Sequence, residues 1–420
     1  MKKRILPAAL LISTLLIIAL CLNSGCVTTH KNPNARTGPF ILGADISWIP
    51  EDEAAGAKYY DHGVQMDVFD ILKKHKFNYI RLRLFVNPGA PGGYSGMRQG
   101  EAFCDLPHVI ALARRAKTAN MGLLLDIHYS DTWSSPGSQK KPAAWANLSF
   151  PDLTNAVHNF TYNAVHAMVT NGVAPDMVQI GNEISDGMLF PDGRRTNWDN
   201  FAMLLKAGIA GAKEADPSAK IALHHHLGRS NAVMRPWLDN LIQRGVKFDI
   251  IGMSCYAQAK EGDWQTNFND LAKRYPDKGQ LVLEYSAQKR YINDLMFDTP
   301  DKKGLGTFIW EPTRHREALF DKDGKNAGGG QASNFTTDTG INQGAQLNTP
   351  PRPRTNFLNQ PFGSVTLTTN QDGTITTNRP ARFSFRNRNG GRYDANSLFD
   401  LYPQMSKDYG NDAYSTSQHK

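Results

Sequence analysis

Three consecutive runs decide the fold: YIRLRLF at residues 79–85, LPHVIALARRAKTA at 106–119 and GLLLDIHY at 122–129. In the first, Arg81 and Arg83 alternate with Ile80, Leu82 and Leu84, so an extended strand puts both arginines on one face and the aliphatic residues on the other. The second repeats its apolar residues at helical spacing. The third is apolar until its end, where Asp126, His128 and Tyr129 appear. Strand, helix and strand in this order form a parallel unit, because parallel neighbours need a crossover connection between them.

Outward from this unit the same rhythm continues. Further strands are predicted at 41–48, 177–183, 220–226, 248–256, 280–286 and 306–311, and further helices at 67–75, 153–170, 198–215, 231–244 and 268–275. Eight strands alternating with helices between residues 41 and 312 predict the α/β class and a (β/α)8 TIM barrel rather than an open doubly wound sheet. No glycine-rich phosphate loop opens the first helix, which argues against dinucleotide binding. Past Pro312 the rhythm breaks. Residues 325–393 are rich in Gly, Asn, Thr, Gln, Pro and Arg and are predicted to be a polar insertion between the last strand and a final amphipathic helix at 395–407. A separate small C-terminal β module is the alternative.

The ends of the 420-residue chain carry much of its formal charge of +8. Lys2, Lys3 and Arg4 precede an apolar run at 5–22 and small residues at Ser24 and Gly25, the pattern of a secretory signal. Residues 1–25 are therefore assigned to a leader, 26–40 to a linker and 41–420 to the barrel domain. Cys26 follows the run directly, as in lipoprotein signals whose cysteine is acylated. The expected location is the outer membrane or cell surface, with membrane attachment through Cys26, or otherwise secreted or periplasmic. Of the other cysteines, Cys104 and Cys255 lie within the domain, and nothing in their spacing builds a disulfide framework, a nucleophile motif or a zinc site. Neither a cofactor nor a metal is expected, and the domain is read as a monomer. No basic stripe interleaved with aromatics occurs, so nucleic acid is not an expected partner.

In such a barrel the chemistry gathers where strands end and their following loops begin. Four strand ends carry notable polar or aromatic residues: Asp126, His128 and Tyr129; Asn182 and Glu183 in VQIGNE; Glu284 in LVLEYS; and Trp310 and Glu311 in TFIWEP. Charged groups aimed into a barrel mouth must compensate one another, and two glutamates with arginine and histidine form such a set. Two carboxyls facing each other across a glycosidic bond are what a retaining glycosidase needs: one protonates the departing oxygen and the other attacks the anomeric carbon. Arg81 or Arg83, with His128, are candidates for keeping the attacking carboxylate ionised.

The runs GADIS near Asp45, NYIRLRLF, LLLDIHYSDTWSSPGSQKKPAAW, VQIGNEISDGMLFP, GVKFDIIGMSCY and GTFIWEP together resemble glycoside hydrolase family 53, the endo-β-1,4-galactanases. The resemblance spans about residues 43–312, and the run 123–145 is its most specific part. It implies that Glu183 is the acid/base, that Glu284 is the nucleophile, and that Asn182 binds the sugar hydroxyl beside the reacting carbon. It further implies that Trp310, with Trp133 or Tyr256, offers sugar platforms, and that the partner is a galactan or arabinogalactan polysaccharide. Two stretches differ from the family's usual pattern: Glu284 is followed by Tyr285, Ser286, Ala287 and Gln288, and the loop after the sixth strand reads CYAQAKEG. A β-mannanase or β-glucanase of the same clan, and a non-catalytic glycan-binding lipoprotein, are the alternatives to galactan cleavage.

Overall fold

The computed structural model describes residues 34–94, 102–256, 263–315, 317–326, 366–369, 375–378 and 390–415. Eight strands and eight helices alternate: β1 (Ile41–Asp45), α1 (Val68–Lys74), β2 (Tyr79–Phe85), α2 (Leu106–Thr118), β3 (Gly122–His128), α3 (Phe150–Thr170), β4 (Met177–Ile180), α4 (Trp198–Ala215), β5 (Lys220–His225), α5 (Asn231–Gln243), β6 (Ile250–Ser254), α6 (Trp264–Arg274), β7 (Gly279–Tyr285), α7 (Lys289–Phe297), β8 (Gly304–Trp310) and α8 (Leu401–Asp408). The strands pair in parallel with their sequence neighbours, and β8 pairs with β1 to close the barrel. Side chains at the N-terminal ends of several helices fix where they begin. Asp67, Asp105, Ser149, Asn197 and Asp263 each accept a hydrogen bond from a backbone N–H in the first turn.

Two apolar layers hold the ring. The outer one, between strands and helices, uses the aliphatic face read from the sequence, such as Ile80, Leu82 and Leu84 of β2. The inner one fills the barrel with Ile41, Leu124, Met177, Ala222, Ile250, Leu281, Leu283 and Phe308. Glycine makes room for the aromatic members of this layer. A Cβ added at Gly43 would lie 2.4 Å from the Phe308 ring, and one at Gly122 would lie 2.1 Å from the Tyr79 ring. Gly43→Ala is accordingly expected to destabilise the domain by about 1–3 kcal/mol through overpacking, measured as the shift of the urea unfolding midpoint. An unchanged midpoint would mean that Phe308 is loosely held.

After β8 the chain departs from the predicted outline. A final helix is present, but it starts at Leu401; residues 391–395 form a strand and residues 397–400 a 3-10 turn. The strand Gly391–Ala395 pairs with Phe320–Lys322 and Ala57–Asp61 in a five-stranded accessory sheet completed by Val64–Met66 and Lys325–Asn326. Asn396 ends that strand and caps the turn, accepting from the Leu398 N–H at 3.0 Å. In α8, Tyr402 meets Tyr285 at 2.8 Å between hydroxyls and packs at a tilt against Phe77, 4.2 Å between ring centroids. The Asn411 amide then bonds both the N–H and the carbonyl of Phe40, tying the end of the domain to the start of β1. Of the predicted insertion 325–393, the structure describes 325–326, the hairpin strands Thr366–Thr369 and Ile375–Asn378, and residues from 390 onward; the rest, like the leader and Cys26, lies outside the described residues.

Candidate active site

The register of the first three strands places charge at two successive levels toward their C-terminal ends. Asp45 of β1 pairs with Arg81 of β2, and Arg83 pairs with Asp126 of β3. Arg81 is fully buried and uses its whole fork. Its Nη1 donates to Asp45 Oδ2 at 2.7 Å and Glu284 Oε1 at 3.1 Å. Its Nη2 reaches Asp126 Oδ2 and Asn182 Oδ1, both at 2.9 Å, and its Nε donates to Gln179 Oε1 at 3.1 Å. Burial opposes the charge of Arg81, but Asp126, Glu284 and Asp45 overcome it and hold the guanidinium protonated. Burial likewise opposes the charge on Asp126, yet Arg81 and His128 hold that carboxyl down at about 2.

Arg83 takes a different set of partners. Both terminal nitrogens lie 3.1 Å from Glu311 Oε1, and its guanidinium sits 4.2 Å beneath the Trp133 ring. It supports the floor of the aromatic wall and does not line the cavity. His128 does line it, but as a neutral ring. Its Nδ1 accepts from the Ser134 N–H at 3.1 Å, which leaves Nε2–H to donate to Asp126 at 2.9 Å. Burial lowers its affinity for a second proton. Of the three groups expected to hold Glu284 ionised, Arg81 alone touches it.

Above Arg81 opens a cavity of about 320 Å³, within the usual range for small-molecule sites. Glu183, Glu284, Asn182, His128, Tyr256, Trp133 and Trp310 line it, together with Ser134, Ser135 and His315. Trp133 and Trp310 meet edge to face at 6.1 Å and enclose one side with Trp48. The two glutamates differ in their hydrogen bonding. Glu284 accepts from Arg81 at 3.1 Å and from the Tyr256 hydroxyl at 3.0 Å; Glu183 accepts from the Ser254 hydroxyl at 2.8 Å.

Burial raises both carboxyls above the ordinary glutamate value, and the charge of Glu183 adds to the rise of Glu284. Five carboxyls (Asp45, Asp126, Glu183, Glu284 and Glu311) share the mouth with two guanidinium groups, so a full set of charges is not affordable there. Glu284 has the stronger set of partners for an anion, a guanidinium and a phenol, whereas one hydroxyl serves Glu183. Two carboxyls with unequal partners facing one space can support proton donation at one side of a bond and nucleophilic attack at the other. Among the described residues no group of three His, Cys, Asp or Glu is placed to hold a metal ion.

Sequence reasoning found seven of the ten lining residues and missed Ser134, Ser135, His315 and much of the support beneath them. Asp45, Gln179, His224 and Ser254 each sit at or near a strand end, and each is bonded to one of the cavity residues or to Arg81. Their signal was the same as that of Glu183, a polar residue ending an apolar run. His315 had none, since the loop after β8 is read only through its packing against Trp310 at 4.4 Å.

The family model of Glycosyl hydrolase family 53 matches residues 41–291. An arabinogalactan endo-beta-1,4-galactanase of Thermothelomyces thermophilus is 35% identical over 306 residues, 64% of this chain and 88% of that protein. Another, arabinogalactan endo-beta-1,4-galactanase A of Emericella nidulans, is 30% identical over 338 residues, 72% of this chain and 90% of that protein. Among solved structures, the Ignisphaera aggregans GH53 catalytic domain superposes with a TM-score of 0.63 at 36% identity, covering 69% of this chain and 94% of that one.

Proposed function

Because the chain belongs to glycosyl hydrolase family 53, we propose that it is a retaining glycosidase that cleaves β-1,4-galactosidic linkages in galactan and arabinogalactan. The relatives that carry this activity in their names match most of their own length to this chain. Glu284 is the nucleophile and Glu183 the acid/base. The observation that carries these roles is the unequal grip on two carboxyls lining one cavity, Arg81 and Tyr256 on Glu284 against Ser254 on Glu183. In the first step the Glu183 proton passes to the glycosidic oxygen while Glu284 bonds to the anomeric carbon; in the second, Glu183 takes a proton from the water that displaces Glu284. Trp133 and Trp310 offer faces on which pyranose rings stack, and Asn182, fixed by Arg81 on one side and by the Ser134 carbonyl on the other, presents its amide beside the reacting carbon.

Incubation of the purified protein with β-1,4-galactan, β-mannan and carboxymethylcellulose tests the substrate. Galacto-oligosaccharides are expected from galactan, with no comparable release from the other two. Release from mannan or cellulose alone would move the enzyme to another specificity, and release from none would favour a binding protein. Export and acylation at Cys26 belong to the same reading, supported by the charged, apolar and small-residue order of residues 2–26. Cys26→Ser is expected to abolish incorporation of labelled palmitate; undiminished labelling would exclude Cys26 as the anchor.

A further inference from the structure

Glu183 stands at the head of a 3-10 turn in left-handed backbone conformation, φ 46° and ψ 48°, a region sparsely used by side-chain-bearing residues. A ring of hydrogen bonds starts from this backbone and returns to the same residue's carboxyl. The Glu183 N–H lies 3.3 Å from His224 Nδ1, His224 Nε2 lies 2.9 Å from Ser254 Oγ, and Ser254 Oγ lies 2.8 Å from Glu183 Oε1.

Arg81 sets the direction of the ring. A guanidinium only donates, so Gln179 presents its oxygen to Arg81 Nε at 3.1 Å and turns its amide nitrogen to the Gly181 carbonyl at 3.1 Å, His224 Nδ1 at 3.2 Å and Asn182 Oδ1 at 3.3 Å. With the Glu183 N–H as a second donor, Nδ1 is an acceptor. Asn182 Oδ1 lies 3.0 Å from that nitrogen but already accepts from Arg81 and Gln179, whereas the backbone N–H of Glu183 can only donate. The proton of neutral His224 therefore sits on Nε2 and is donated to Ser254 Oγ, which leaves the serine proton for Glu183 Oε1.

We infer that His224 and Ser254 are positioning residues whose fixed hydrogen-bond polarity confines the transferable proton of Glu183 to Oε2 and aims it at the glycosidic oxygen. The inference rests on the reading of Glu183 as acid/base. During cleavage the proton leaves Oε2 for the departing oxygen, which takes the electron pair of the breaking C–O bond, while a Glu284 oxygen supplies the pair for the new bond to carbon. During hydrolysis Oε2 receives a proton from water as the water oxygen bonds to that carbon and Glu284 leaves with its pair.

The test compares two leaving groups in the full chain. A 2,4-dinitrophenolate departs without protonation, whereas a phenolate needs the acid. Ser254→Ala is expected to lower kcat/KM on phenyl β-1,4-galactobioside by about ten- to a hundredfold and on the dinitrophenyl substrate by less than about threefold. Ser254→Thr, which keeps the hydroxyl, recovers most of the loss. Equal losses on both substrates, no loss on either, or a folded Thr variant that recovers nothing would each overturn the inference. Glu183→Gln on the same pair keeps the two readings apart. If it spares both substrates, the acid/base assignment fails; if it splits them and Ser254→Ala does not, only the positioning ring fails.

Discussion

Glu284→Ala is expected to lower kcat on galactan by about four orders of magnitude or more, and Glu183→Ala to lower it by about 10²–10⁴. The larger loss belongs to Glu284 because without it no covalent intermediate forms, whereas an enzyme lacking Glu183 still attacks substrates whose leaving group departs unaided. Azide separates the roles by stereochemistry. In Glu183→Ala, azide entering beside the vacated acid/base and meeting the glycosyl-enzyme on a dinitrophenyl substrate gives the β-galactosyl azide. In Glu284→Ala, azide occupies the nucleophile's space and attacks the opposite face, giving the α-galactosyl azide. Products of the swapped configuration would exchange the two assignments, and near-normal turnover in either variant would remove that residue from the chemistry.

Arg81→Met carries the second large effect, on stability and on pH dependence together. It leaves Asp45, Asp126 and Glu284 buried without their shared cation, and breaking buried pairs in this way costs about 3–5 kcal/mol, read from urea unfolding. The sign of the pH effect follows from the role of each group. Burial raises Glu284, and Arg81 is the strongest influence pulling it back down. The nucleophile works ionised, so activity is lost as pH falls through its pKa. Without Arg81 that pKa is higher, and the acid limb of kcat/KM moves to higher pH, each unit removing about tenfold of the ionised fraction below the new value. Arg81→Lys keeps a charge but not the fork that reaches Gln179, Asn182 and three carboxylates; it is expected to recover part of the stability and less of the activity. An acid limb unmoved in Arg81→Met would show that Tyr256 alone holds the Glu284 anion.

The strands were legible because each is a short, mostly apolar run whose few polar residues alternate with aliphatic ones or end the run. The hairpin Ala57–Asp61 and Val64–Met66 was not, since Lys58, Val64 and Gln65 are exposed and the two strands are short and polar, leaving no apolar run to read. Helix α7 was missed for a related reason: it follows Gln288, whose backbone is left-handed and whose side chain gives no cap, so no start signal precedes it. The final helix was placed a few residues early because Leu398 and Phe399, which share its apolar spacing with Tyr402 and Met405, lie in the 3-10 turn Ser397–Asp400, and Ala395 ends the strand Gly391–Ala395.

By itself the sequence determined the eightfold alternation, the face shared by Arg81 and Arg83, and the gathering of Glu183, Glu284, Asn182, His128 and the aromatics at one end of the strands. These depend on the period of side chains along a strand, which is local. The closed barrel alone decided that Arg81 serves Glu284 while Arg83 serves Glu311, pairs 203 and 228 residues apart in the chain. It also decided that His128 is neutral and that Ser254 directs Glu183, because a proton's place is set by whichever donor or acceptor stands within about 3 Å, and ring closure brings those neighbours together.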